Sequence, residues 1–489
     1  MEPATDTHDP APLRIGWARA DITPSEPVLL CGQFYARRSE AVLDPITATA
    51  LTLAAGDEQA VLVSCDLIGI PDSLRDAVRA RLAGADIVGL DPAKVVLSAT
   101  HTHTAPDVRL PAWPDPNDPG VDLGAGCMDV DAYEAFAAER IAEAVRASWN
   151  TRVPGSVAYG HGWAVVGHNR RWVDLDGRAT MYGDTTTATF SHIEGHTDHS
   201  LGVVGTYEAG GRLTGVVVNV PCPAQCSEHE FAVSADYWHD TRLELRRRLG
   251  DDVFVLPQCG AAGDQAPRVI YARPGEERMH ALKGLTQRQQ IARRIAAAVE
   301  DVLAAVGPTA EGGAALVHHV ETIDLPSNDL TADDAEAAGI EALACRTRYD
   351  EAMARLAADP PLREAHGWYA EPTAAYRMMR WYEMVAERFE AGGGDATQPV
   401  ELHVIRLGEL VVATNPFEFY LDFGTCLKAR SPAVETFLVQ LTGGGTYCPS
   451  PRSTAGGGYG SVAASNPVGP EGGRRLMERT LDVIEGMWT

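Results

Sequence analysis

Short apolar runs rich in β-branched residues, at 59–65, 94–98 and 214–221, alternate with stretches of helical periodicity at 130–149, 237–249 and 285–306. A chain that switches repeatedly between these two periods builds strands whose apolar faces are covered by helices, so the pattern predicts an α/β fold. From Thr331 the residues are rich in Ala, Glu, Arg and Met and read helical to Glu390, with a break at Asp359-Pro360-Pro361. This predicts a helical hairpin inserted at 331–392 in a single domain spanning 1–489. Gly392-Gly393-Gly394 ends the insertion, strand-like stretches at 400–407 and 409–414 return the chain to the core, and Gly472 to Trp488 reads as a last helix.

A formal charge of -26 excludes sequence-independent binding to nucleic acid or to anionic membrane surfaces, both of which need clustered Lys and Arg. The first ten residues lack a basic segment followed by an apolar one, and no apolar stretch is long enough to span a bilayer. The expectation is a cytoplasmic protein with a small-molecule substrate, no nucleic acid partner and no stable membrane association. Nine cysteines, an odd number, are scattered through the chain, several in apolar or glycine-rich surroundings that favour buried thiols over disulfides. Cys222 and Cys226 have no matching pair, so a structural zinc site is not expected there.

Chemistry concentrates in a few segments. Ser98-Ala-Thr-His101-Thr-His103 follows the apolar run Val95-Val96-Leu97. On a strand, residues two apart share a face, which lets both imidazoles bind one metal ion, or lets one bind while the other acts as a base. A hydrogen-bonded pair at a strand end is the plain alternative. Glu418, in Asn415-Pro416-Phe417-Glu418-Phe419 after the strand 409–414, is either a hard-oxygen metal ligand or a carboxylate answering a helix N-terminus. Tyr447 and Tyr459 stand in two glycine-rich loops, suited to closing on a ligand or simply to covering core.

These segments, with Arg14-Ile-Gly-Trp-Ala-Arg-Ala-Asp21-Ile-Thr-Pro24 and His168-Asn169-Arg170, together resemble the neutral ceramidases and their bacterial relatives over most of the chain. The resemblance implies a mixed-sheet α/β fold, one zinc ion per chain and hydrolysis of the amide of an N-acyl compound by a metal-activated water. It implies His101 as a zinc ligand, Glu418 as the carboxylate ligand and Tyr447 as a tyrosine ligand. His103 would accept the water's proton, Tyr459 would stabilise the oxyanion, and Arg170 would orient substrate, with Arg171 beside it leaving the register open by one. Cleavage of an ester or lactone, and a metal-binding or ligand-binding relative without turnover, are the alternatives.

Three departures bear on these expectations. The family's second ligand histidine falls at Pro223, which cannot bind metal; one rebuilt set makes His103 a ligand beside His101, Glu418 and Tyr447. A different base is then needed, with Glu228, His229, His199 and the segment Asp236 to His239 as candidates. Ala266 stands where ceramidases present a serine, in a turn that contains Asp264. No immunoglobulin-like segment or export signal is recognised, and the expected substrate is a smaller, more polar amide than ceramide, walled by the helical insertion.

Overall fold

In a computed structural model of the chain, residues 11–84, 87–109, 121, 123, 126–392 and 396–488 are described. The opening decapeptide and the glycines 393 and 394 expected to end the insertion lie outside them. The main sheet has eight strands: β1 (Arg14–Asp21), β2 (Thr47–Ala55), β3 (Glu58–Cys65), β4 (Val95–Ala99), β5 (Val153–Trp163), β6 (Ser200–Glu208), β7 (Leu213–Val220) and β8 (Phe254–Cys259). Their order is β8-β7-β6-β5-β1-β2-β3-β4. The two outer pairs, β3 with β4 and β7 with β8, are parallel, and the inner pairings are antiparallel. A second sheet joins β9 (Leu316–Pro326), β10 (Thr397–Leu407), β11 (Leu410–Thr414) and β12 (Glu435–Val439), with β11 and β12 parallel.

The two sheets pack face to face through Leu51, Leu62, Val96, Val217 and Leu256 on one side and Ile405, Val412 and Phe437 on the other, all buried. Helices α1 (Asp72–Ala83) and α2 (Val130–Asn150) bury Leu74, Val78, Ile141 and Val145 on the outer face of one half of the main sheet. Helices α3 (Tyr237–Leu249) and α5 (Gln287–Val306) cover the other half, while α4 (Arg273–Lys283) buries no side chain. Helices α8 (Leu421–Arg430) and α9 (Gly469–Gly486) cover the second sheet. The fold is thus an α/β/β/α sandwich, in the α/β class expected from the alternating periods and with the mixed sheets that the family resemblance implies.

The insertion forms α6 (Ala332–Ala358) and α7 (Ala370–Glu390), an antiparallel hairpin broken by a turn of 3-10 helix at Pro360–Glu364. Proline at 360 and 361 lacks the amide hydrogen needed to continue α6, which is why the break falls there. Helix α6 starts on a capping box in which Thr331 and Asp334 answer each other's backbone. All nine cysteines are free thiols. Among the described residues no helix is long and apolar enough to cross a membrane.

Candidate active site

The chemistry-bearing residues gather beyond the carboxyl ends of the parallel-paired strands, where the backbone leaves the ladder and side chains are free to converge. His101 follows β4, Gln225 follows β7, Gly263 follows β8, Glu418 follows β11 and Tyr447 follows β12.

The two histidines do not converge by strand alternation. Strand β4 ends at Ala99, and His101 takes a left-handed backbone conformation with φ of 63°, which costs a non-glycine residue on the order of 1–2 kcal/mol. The flanking backbone holds the turn: Thr100 N–H donates to the Cys65 carbonyl at 3.0 Å and Thr102 N–H to that of Leu67 at 3.2 Å. His101 Nδ1 lies 2.6 Å from the Ile68 carbonyl and donates to it, leaving the Nε2 lone pair facing the pocket. His103 packs its ring on Gly32, whose φ is 91° and where a Cβ would fall 2.4 Å from the imidazole Cγ. The two Nε2 atoms are 3.2 Å apart.

Glu418 and Tyr447 are directly paired residues of two short parallel strands, Glu418–Phe419 and Tyr447–Cys448. One carboxylate oxygen of Glu418 lies 3.4 Å from His101 Nε2, and Tyr447 stands beside it on the paired strand. The Tyr459 ring meets that of Tyr447 edge-on at 5.4 Å. Gly263 makes room for this strand pair, since a Cβ there would fall 2.3 Å from the Glu418 carbonyl oxygen.

Arg170 enters the site and Arg171 does not. The Arg170 guanidinium donates to the Tyr447 hydroxyl at 3.1 Å, the Gln225 side-chain oxygen at 3.1 Å and the Gly263 carbonyl at 2.9 Å, and lies 3.7 Å from Glu418. Arg171 is clamped by the Glu194 carboxylate at 2.7 and 3.0 Å and donates to the Tyr459 carbonyl, so it anchors the second tyrosine loop from behind. Asp264 braces the same segment, accepting from the Asn169 side chain at 2.8 Å and the Leu421 amide at 3.1 Å.

Pro223 contributes no side chain here; two residues on, Gln225 does, and the sequence reading overlooked it. Its amide nitrogen lies 2.6 Å from His103 Nε2. The orientation is set from the other side, because its oxygen accepts from Arg170 and from Tyr182 at 3.3 Å; flipping the amide would set donor against donor. Of the other candidates, Glu228 alone reaches the pair, with its carboxylate 3.7 Å from His103 Nδ1, held by Arg268 at 3.0 Å. Asp236 caps α3, His229 is bonded to Tyr35, and His199 meets His168 edge-on.

Burial holds the His103 imidazole well below its usual pKa, helped by His101, Arg37 and Arg170, so it is neutral at neutral pH. Burial pushes the Glu418 carboxyl up, but His101 and Arg170 together outweigh it and the net shift is downward. Burial, then Glu418 and Tyr459, drive the Tyr447 phenol up, against the pull of Arg170.

Among the described residues no group of three or more His, Cys, Asp and Glu side chains is arranged to hold a metal ion as it stands. The donors nevertheless suit one. His101 Nε2 and the Glu418 carboxylate face each other at 3.4 Å, close to the roughly 3.3 Å edge of a tetrahedron built on 2.0–2.1 Å bonds. The Tyr447 phenol is the third donor, while the Gln225 amide already occupies His103 Nε2. His101, Glu418 and Tyr447 are therefore the residues able to hold a divalent ion, leaving His103 beside it.

His168 stays outside the site. Burial, with His199 beside it, pulls its pKa from 6.5 down to about 4. Between those values the unfolded chain binds a proton that the folded chain refuses, so stability falls as the pH drops from 6.5 toward 4. The urea midpoint is expected to be lower at pH 5 than at pH 7.5, and His168→Gln to narrow that difference; an unchanged difference refutes the assignment.

A pocket with an empty volume of about 730 Å³, part of it open to solvent, reaches these groups past Ile68, Leu441 and Trp381. Trp381, on α7, brings the insertion into the wall and touches Tyr459 at 5.7 Å between ring centroids. Neutral ceramidase from Pseudomonas aeruginosa superposes on 98% of this chain and 74% of its own, with a TM-score of 0.65 at 14% identity. The fold is that of neutral ceramidase. A ceramidase solved in complex with C2 has the same fold, with a TM-score of 0.66 over 98% of this chain and 75% of its own, again at 14% identity. No protein-family model matches the sequence, and no curated protein matches it. The neutral-ceramidase fold is thus retained where sequence identity has fallen far, and the site rests on this chain's own residues.

Proposed function

We propose that the chain is a metal-dependent hydrolase, with zinc as the ion, that cleaves the linear amide of a small N-acyl compound. The observation that carries this reading is the convergence of His101, Glu418, Tyr447 and Arg170 at the head of an apolar pocket, with a neutral imidazole alongside. An ion held by His101, Glu418 and Tyr447 would acidify a water to a pKa of about 7 and polarise the amide carbonyl.

The chain's own groups do the rest. His103 takes the attacking water's proton at Nε2, which requires the Gln225 amide to yield its contact there, and the Glu228 carboxylate facing Nδ1 steadies the resulting imidazolium. Tyr459 is kept protonated by burial and donates to the oxygen that gains charge as the carbonyl is attacked. Arg170 fixes Tyr447 and Gln225 and orients substrate. Ile68, Leu441 and Trp381 receive the acyl group and exclude water. The C–N bond breaks with uptake of one water, giving a carboxylic acid and an amine. The free thiols accord with a cytoplasmic location.

Metal analysis by mass spectrometry, on protein purified without added metal or a histidine tag, tests the reading. About one zinc per chain is expected in the native protein and none in His101→Ala or Tyr447→Ala. Amide hydrolysis that persists in protein free of metal would overturn it.

A further inference from the structure

The loop from Gly443 to Thr446 divides the candidate active site from a second cavity, of about 1030 Å³ including its open mouth, and Gly445 and Thr446 line both. The Thr446 hydroxyl in this partition is buried and has no hydrogen-bond partner. Helix α7 runs past both spaces. Trp381 lines the first, while Met384 and Arg388 line the second. Residues spaced i, i+3 and i+7 share one helix face, and seven residues advance about 10 Å along the axis. The insertion therefore presents an aromatic ring, a thioether and a guanidinium in line along one track.

One charge in the second cavity lacks an opposite partner. Asp72 is answered by Arg75 at 2.9 Å. Glu401 is answered by Arg79 at 2.7 and 2.8 Å and by His403 at 2.7 Å. Arg388 has no such answer: its guanidinium donates to the Ala463 carbonyl, its Nε is buried without a partner, and burial alone acts on its charge. A half-buried guanidinium without a carboxylate is costly unless a ligand supplies one, and its planar donor fork is shaped for a carboxylate.

We propose that this cavity is a carboxylate subsite of the same active site, and that the preferred substrate is an N-acyl amide whose amine half carries a carboxylate several bonds from the scissile bond. The proposal rests on the hydrolase reading above. The acyl group fills the apolar pocket and the amine half passes Thr446 toward Arg388. An α-carboxylate, within about 4 Å of its amide nitrogen, is too near; an ω-amino acid has the required reach.

N-octanoyl-6-aminohexanoate, its uncharged primary amide and N-octanoylglycine are compared as substrates of the wild-type protein, Arg388→Gln and Arg388→Lys. The wild type is expected to favour the aminohexanoate over its primary amide by about 10- to 100-fold in kcat/KM. That ratio should fall toward one in Arg388→Gln, persist in part in Arg388→Lys, and be small for the glycine conjugate. A ratio near one in the wild type, or one undiminished in Arg388→Gln, overturns the subsite. Should none of the compounds be hydrolysed, the hydrolase reading falls separately, and calorimetry with the same compounds decides the subsite. Tighter binding of the aminohexanoate that Arg388→Gln abolishes upholds it, and equal binding of charged and uncharged forms refutes it.

Discussion

Replacing Glu418 with glutamine is expected to lower amide hydrolysis by on the order of 10³-fold or more, with little change in the urea unfolding midpoint. The substitution keeps the size and shape of the side chain, so the short strand pair that seats both residues stays filled. What it removes is the negative charge that His101 and Arg170 face at 3.4 and 3.7 Å. Without that charge the donor set loses its one anionic ligand at neutral pH. Steady-state kinetics and metal content on the same preparations check this. Full activity in Glu418→Gln would show that the carboxylate only organises the loop, and would refute its place in the chemistry.

Much of this arrangement was legible in the sequence, for a local reason. Strand and helix periods are set by near neighbours, so the segments at 59–65, 130–149, 237–249, 400–407 and 409–414 emerge close to their expected bounds. Histidine, glutamate and tyrosine in turns after apolar strands marked the site, because a strand's carboxyl end is where the ladder stops and side chains can gather. Sheet order and the face-to-face packing depend on contacts far apart in the chain and left no local trace. The left-handed turn at His101 was hidden for another reason. It sits on a residue type that disfavours it, held by hydrogen bonds to Cys65 and Leu67 rather than by a glycine.

Gln225 lies beyond what motif spacing alone reveals. The family spacing puts the missing histidine at Pro223, but the backbone after β7 carries a different side chain to the site, and a glutamine has no character that sequence alone connects with metal or base. In the structure its amide is held by Arg170 and Tyr182 and points at His103, so it ranks the two imidazoles. His101 Nε2 meets His103 at 3.2 Å and the Glu418 carboxylate at 3.4 Å, while His103 Nε2 also carries the Gln225 amide. The same contact explains why the two residues of one His-x-His motif take different roles, the first suited to binding and the second to proton transfer.

The turn that presents His101 depends on a buried ion pair, and Asp66→Ala is expected to destabilise the chain by about 3–5 kcal/mol. Asp66 lies just beyond β3 and is fully buried; its carboxylate takes both terminal nitrogens of Arg242 on α3, at 2.8 and 2.9 Å. It also accepts from the Thr47 amide at 2.8 Å and from the Thr100 hydroxyl at 3.4 Å, the residue immediately before His101. Removing the carboxylate leaves Arg242 charged and unpaired in the interior, which costs far more than the pair itself contributes. Asp66→Leu combined with Arg242→Met removes both charges and is expected to recover most of the stability, as a buried pair exchanged for apolar side chains commonly does. Activity should not recover with it, because Thr100 loses its anchor and the strained turn at His101 is free to relax. Urea unfolding and amide hydrolysis measured on the single and double variants separate the two effects. If stability and activity return together in the double variant, Asp66 serves the fold alone and the left-handed turn at His101 is held by its backbone hydrogen bonds without it.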